Sequence, residues 1–295
     1  MAIALANGYS SSQSEVKGMK ALGTVILFAT VSLFGVAQVA EFVAQADALF
    51  QEVWLSPYTP TTAATLRQKL DLAIDFYQKA LNLDPQNTHI LNMLARCYYT
   101  LADIFLPERE KQEGHEKGQA YGERSLRANP EFVRVEREQG FVEAVKTSTD
   151  VAALYWTYAN WARKVELGGA LGLIAAALRG DDKKLNALMS RCMELDRNYL
   201  AGGPLRALAG YHAKHPFSKD YEKARELLQE AMSAHGDYLE NALFYVQYYL
   251  IPKELWAEAR VVLEKILASS LDPYPLMNSY CQLKASELLK EVQNK

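Results

Sequence analysis

Arg206 stands two residues after Pro204 in the run Gly202-Gly203-Pro204-Leu205-Arg206, and that combination could hold an anion. Glycines end one helix, a proline at the first position presets the next, and the guanidinium falls in a first turn whose amides are unsatisfied. A cation there opposes the helix dipole, so an anion should compensate it. Asp196 or Glu194 from the helix before could supply it as a salt bridge; alternatively a ligand carboxylate is received by the guanidinium and the amides together. Aromatic side chains that could wall such a ligand lie in two places. Tyr155, Trp156, Tyr158 and Trp161 fall within two turns, with Asn160, Arg163 and Lys164 between and after them; Phe244, Tyr245, Tyr248 and Tyr249 repeat the style near the carboxyl end. Rings at this density usually fill a core, but four in two turns cannot all face inward, so some are expected on a surface.

Other chemistry has little support. His212 and His215, at i and i+3, could share a helix face and hold a metal, but they end a helix before Pro216, where histidine suits the dipole and solvent. The sequence has no HExxH, no GxSxG and no phosphate-cradling glycine loop, and acidic runs such as Glu222 to Glu230 read as i, i+4 paired helix faces. No catalytic residue, cofactor or metal ligand is assigned.

The elements that must carry these residues are helices. From Ala73 onward an aromatic follows four residues later, another alanine three after that and a proline five later: Ala73, Tyr77, Ala80 and Pro85. Small residues one turn apart let a neighbouring helix approach, the aromatic fills the groove, and Pro85 stops the helix. The frame returns at Gly118, Gly122, Ser125 and Pro130, at Leu185, Met189 and Cys192, at Ala224, Leu228 and Ala231, and at Ala259, Leu263 and Ile266. This is the pattern of a tetratricopeptide repeat, and it predicts an all-α solenoid of about five helix pairs over roughly residues 41–292. The charged, glycine-containing stretch from Pro107 to His115 is expected to be a solvated loop. In the best-formed first helix, from Thr88, the frame turns His89, Asn92, Arg96 and Tyr99 to the concave side, where Asn92 and Arg96 resemble a clamp for peptide carboxylates.

Composition sets limits. With 49% hydrophobic residues and 295 positions the chain can bury a large core, and 32 basic against 35 acidic residues, a net charge of -3, give no field to recruit a nucleic acid. Cys97, Cys192 and Cys281 are far apart in apolar helical patterns and read as buried thiols. The amino terminus differs: Ala21 to Ala37 carries no charge, follows Lys17 and Lys20, and ends in Gly35-Val36-Ala37, a small-x-small context. That is the pattern of a secretory signal, with Met19-Lys20 a conventional start for it and an uncleaved anchor the alternative. Residues 1–37 are therefore set apart from a helical domain at 38–295, and a periplasmic location is expected.

Taken in order, several segments resemble the T-component family of tripartite ATP-independent periplasmic (TRAP) transporters. They are Ala153-Leu154-Tyr155-Trp156 with Trp161, Gly180-Asp181, the block Tyr199 to Leu208 containing Gly-Gly-Pro-x-Arg, Asp220 to Ala224, and Tyr245 to Tyr249. The chain departs from the family in lacking a lipobox cysteine, in Ala209 where glycine is usual, and in the reduced turn Phe217-Ser218-Lys219. The resemblance implies a non-enzymatic periplasmic protein that associates with the solute-binding subunit and contacts organic acids or other partly apolar ligands, with room for a homo-oligomer. In that picture Arg206 is the anion contact, Trp156 and Trp161 the walls, and Tyr248 or Tyr249 a closing side, with Tyr199 opening the block that holds Arg206. The rival expectation is a scaffold that gathers envelope proteins through the groove holding Asn92 and Arg96; a weaker third is a cell-wall enzyme on a helical support.

Overall fold

The computed structural model describes residues 35–293 and 295, so the leader-like stretch, except for Gly35 to Ala37, and the expected extension ahead of Met19 lie outside the described residues. Among the described residues the chain is all-α and contains no strand. Residues 35–54 form α1; then come α2 (Ala63–Leu83), α3 (Thr88–Thr100), α4 (Glu108–Arg127), α5 (Pro130–Gln139), α6 (Phe141–Val145) and α7 (Val151–Leu167). The second half holds α8 (Gly169–Leu178), α9 (Asp181–Asp196), α10 (Tyr199–Lys214), α11 (Tyr221–Ala234), α12 (Glu240–Tyr245), α13 (Trp256–Ala268) and α14 (Pro275–Val292).

Short polar residues start several of these. The side chains of Asn87, Asn129, Asp150 and Asp220 each accept a backbone N–H at the beginning of α3, α5, α7 and α11, satisfying donors the helix cannot. Consecutive helices pack on one another, α2 on α3, α3 on α4, α9 on α10, α10 on α11 and α13 on α14, and α7 sits centrally against α3, α4, α8 and α9. The small residues of the repeated frame lie where helices come closest. A Cβ on Gly118 would stand 2.2 Å from Asn160 Oδ1, and one on Gly122 would stand 2.9 Å from the Cα of Thr157, so α4 can rest on α7 only without those side chains.

Two corrections follow. The stretch from Pro107 to His115 is not a loop: it is the first half of α4, with Glu108 and Glu110 in the favoured first turn and His115 buried. Its charges form the wet face of an amphipathic helix whose inner face is glycine and histidine, a pattern easily read as a loop. The aromatic run of α7 does not divide between core and surface either, because Tyr155, Trp156, Tyr158 and Trp161 are all buried. A helix with neighbours on several sides has no outer face to give them.

Two helices end in a single π turn, Leu101–Phe105 after α3 and Val246–Leu250 after α12, an arrangement that shifts register and often borders functional sites. The chain also returns to its beginning. Tyr58, after α1, donates its amide to Ser279 Oγ of α14 at 2.7 Å and packs its ring on Tyr280, whose hydroxyl donates to the Asp103 carbonyl at 2.9 Å. The three cysteines are free thiols buried in different parts of the core. No described helix is long and apolar enough to cross a membrane.

Candidate functional site

A cavity of about 50 Å³ lies where α7, α10 and α12 meet the end of α3, and charged groups line it beside aromatic ones: Arg163, Glu166, Arg206 and Glu240 with Tyr99, Tyr155, Tyr158 and Tyr248. A second chamber of about 50 Å³ adjoins it, sharing Tyr158, Ala162, Glu166 and Gly210, and is walled by Val165, Leu173, Ala176, Ala177 and Leu185 together with Asp182, Lys214 and His215. The first chamber is therefore ionic and the second mostly apolar.

The charged groups form two linked sets. Arg163 Nε lies 3.4 Å from Asp103, its Nη1 donates to Glu166 at 3.1 Å, and Lys214 Nζ reaches the same Glu166 oxygen at 3.0 Å while donating to the Tyr248 hydroxyl at 3.1 Å. Both π turns take part, since one presents Asp103 and the other Tyr248. Burial works against the Glu166 charge, but Lys214 and Arg163 overcome it and hold the carboxyl below its ordinary range. The second set centres on Arg206. Its Nε lies 3.1 Å from Glu240, Nη1 donates to Asn241 Oδ1 at 2.8 Å and to the Ala201 carbonyl at 2.7 Å, and Nη2 donates to the Leu200 carbonyl at 3.0 Å. Burial opposes its charge, yet Glu240 and the surrounding tyrosines outweigh it and raise its pKa. For Glu240 burial wins: its carboxyl titrates above the usual range although Arg206 and Arg163 pull it down.

The Gly-Gly-Pro block takes an unusual form that explains where Arg206 points. α9 ends at Asp196, not at the glycines, and Leu200, Ala201 and Gly202 then turn left-handed with φ of 48°, 52° and 80°. Leucine and alanine are strained there, by about 1–2 kcal/mol each, and the carbonyls of those two residues are the ones Arg206 binds. Gly203 has a different reason: a Cβ on it would stand 2.7 Å from the Tyr155 ring. The salt-bridge partner expected from α9 is thus corrected to Glu240, while Glu194 pairs with Arg191 and Asp196 accepts the Asn198 amide. The reason is the left-handed turn, which swings the block away from α9 towards α12.

Of the residues singled out from the sequence, Arg206 and Tyr248 share this cavity with Arg163, Tyr155, Tyr158, Tyr99 and Phe244. Trp156 donates its indole N–H to the Tyr199 hydroxyl at 3.1 Å and belongs with Arg96, whose guanidinium lies over its ring. Asn92 donates to Asp150 at 2.8 Å beside them. Trp161 is elsewhere, edge-on to Phe141 with Lys184 over it, and Tyr249 stacks on Tyr245 under Arg225. His215 Nδ1 accepts from the amides of Phe217 and Ser218, and its Nε2 lies 3.8 Å from Asp182. Asp103, Glu166, Lys214 and Glu240 escaped the sequence reading; Glu166 alone carried a signal, three residues after Arg163 on one helix.

The structure is thus a helical body that holds a two-chambered cavity. The family model for the TRAP transporter T-component matches residues 64–295, and the chain belongs to that family. It is therefore a component associated with TRAP transport. A search of curated proteins finds no match.

Proposed function

We propose that the protein is a non-enzymatic periplasmic accessory subunit that docks the solute-binding subunit of a TRAP transporter and receives part of an organic acid in its inner cavity. Its helices would be five degenerate tetratricopeptide pairs, α1–α2, α3–α4, α7–α9, α10–α11 and α12–α13, with α5–α6 and α8 as insertions and α14 as the closing helix. The recurrence of the small-residue frame in the second helix of each pair supports that arrangement. Export is supported by the charge-free stretch after Lys17 and Lys20.

The observation that carries the ligand reading is the pairing of chambers. An acid with an apolar body places its carbon among Leu173, Ala176 and Leu185 and its carboxylate beside Arg163, Lys214 and the Tyr248 hydroxyl. A binding role suits the charges better than catalysis, because Glu166 is held ionised by two cations instead of being poised to exchange a proton. The test uses Ala162, which lines both chambers. Ala162→Leu should fill the passage, so that acids co-purifying with the wild-type chain, read by mass spectrometry, are lost while the complex with the solute-binding subunit still forms. Retention of the acid by the variant would refute the cavity assignment, and failure of the wild-type chain to form the complex would refute the docking role.

A further inference from the structure

Three arginines point into the interior, and one of them lacks an anion. Arg163 has Asp103 and Glu166, and Arg206 has Glu240. Arg96 has no carboxylate within ion-pair distance and no hydrogen bond from its guanidinium among the described residues. Its Nε is buried without a partner. Aromatic rings surround it: the guanidinium carbon lies 4.7 Å from the Phe50 centroid, 4.4 Å from Trp54 and 5.5 Å from Trp156. Rings stabilise a cation through their faces but offer no acceptor to its in-plane N–H groups. The residue is part-buried, with its Nε sealed off from solvent.

Two neighbours share this incompleteness. The Tyr199 hydroxyl accepts the Trp156 indole N–H, which leaves its own proton free to donate. One turn before Arg96, Asn92 gives its amide to Asp150 while its Oδ1 is buried without a partner.

We propose that Arg96, with the Tyr199 hydroxyl beside it, anchors a carboxylate-binding site between α1, α3 and α7, for an acid whose carboxylate is joined to a flat or apolar body. A planar guanidinium presents two parallel N–H groups that a carboxylate matches, and the rings of Phe50, Trp54 and Trp156 suit the body behind it. A single cation suits a monoanion better than a dianion. The titration of the three arginines agrees with the geometry. Burial pulls Arg96 below its ordinary range, and the groups that favour its charge are Tyr199, Tyr238, Cys97 and Tyr77, none a carboxylate, whereas Arg163 and Arg206 are raised. A bound carboxylate would supply the missing counter-charge.

The same chemistry can come from a small organic acid or from the free end of a polypeptide, and two pairs of probes separate them. The full chain is titrated with 3-phenylpropionate and with 3-phenylpropionamide, then with acetyl-Gly-Leu-Phe bearing a free carboxylate and with its carboxamide. Binding is followed by tryptophan fluorescence, which Trp54 and Trp156 at the site should report, and by calorimetry. The acid of at least one pair should bind about tenfold or more tightly than its amide. A response to the small pair identifies a metabolite site, and a response to the peptide pair alone identifies a chain terminus. Arg96→Gln should weaken the acid about tenfold or more, and Tyr199→Phe, which removes only a hydroxyl, several-fold. Equal binding of acid and amide, no binding of either acid at about 10 mM, or undiminished binding by a folded Arg96→Gln chain would overturn the proposal. The acid–amide comparison needs no variant and no transporter subunit, so its outcome is independent of the TRAP reading.

Discussion

Adding one methyl group at Gly122 measures how closely α4 must approach α7. In an exposed helix, glycine to alanine stabilises by about 1 kcal/mol through backbone entropy. At Gly122 the new Cβ would stand 2.4 Å from Thr157 Oγ1, 2.9 Å from the Thr157 Cα and 3.0 Å from its amide nitrogen. Two of those atoms are backbone of a central buried helix and cannot swing aside as a side-chain tip would. Overpacking of this kind costs about 1–3 kcal/mol, and contact with backbone places it at or beyond the upper end. The net expectation for Gly122→Ala is a loss of about 2 kcal/mol, or a fall in Tm of roughly 4–8 °C for a domain of this size. Thermal and urea denaturation followed by circular dichroism would read it. Thr157→Ala in the same chain removes the Oγ1 contact but not the backbone ones, so it should restore only part of the loss. A Gly122→Ala chain as stable as wild type, or more stable, would mean that propensity governs the site and that the two helices do not meet as described.

His115 provides a pH test. Burial, chiefly, lowers its pKa from 6.5 to about 4, so the folded state holds it neutral while the unfolded chain takes up the proton. Stability is therefore complete above about pH 6.5 and is lost as pH falls towards 4, by up to about 3 kcal/mol, and His115→Gln should flatten that limb of the stability profile. Arg206→Gln should cost about 3–5 kcal/mol because it strands the buried Glu240 carboxylate and frees two strained carbonyls, while Arg206→Gln with Glu240→Gln should be milder; equal losses in urea denaturation would contradict this. Burial raises the pKa of all three cysteine thiols, so Cys97, Cys192 and Cys281 should resist a thiol reagent at pH 8 in the native chain and all react once it is unfolded.

Much of the helical plan is legible because it is local. Pro85 marks the end of α2, and the frame's glycines at 118 and 122 mark a close crossing through spacing alone. The first half of α4, from Glu108, reads as a loop because its inner face offers only Gly114 and His115, which lack the apolar periodicity that betrays a buried side. The cavity was legible only in pieces. Arg206, Tyr248 and Arg163 were noticed by type, but Asp103 joins Arg163 across sixty positions and Lys214 joins Glu166 across forty-eight, distances over which pairing leaves no mark in one sequence. The three left-handed residues at Leu200 to Gly202 redirected Arg206 to Glu240, and nothing in a leucine or an alanine announces positive φ.

The proposed role is docking of a TRAP solute-binding subunit without turnover. The most direct measurement is calorimetric titration of the purified chain with the solute-binding subunit from the same cell, alone and loaded with its solute. A saturable heat with micromolar or tighter affinity, altered by loading, is the result expected. No heat in either state at about 100 µM protein, or consumption of the solute by the chain, would contradict it.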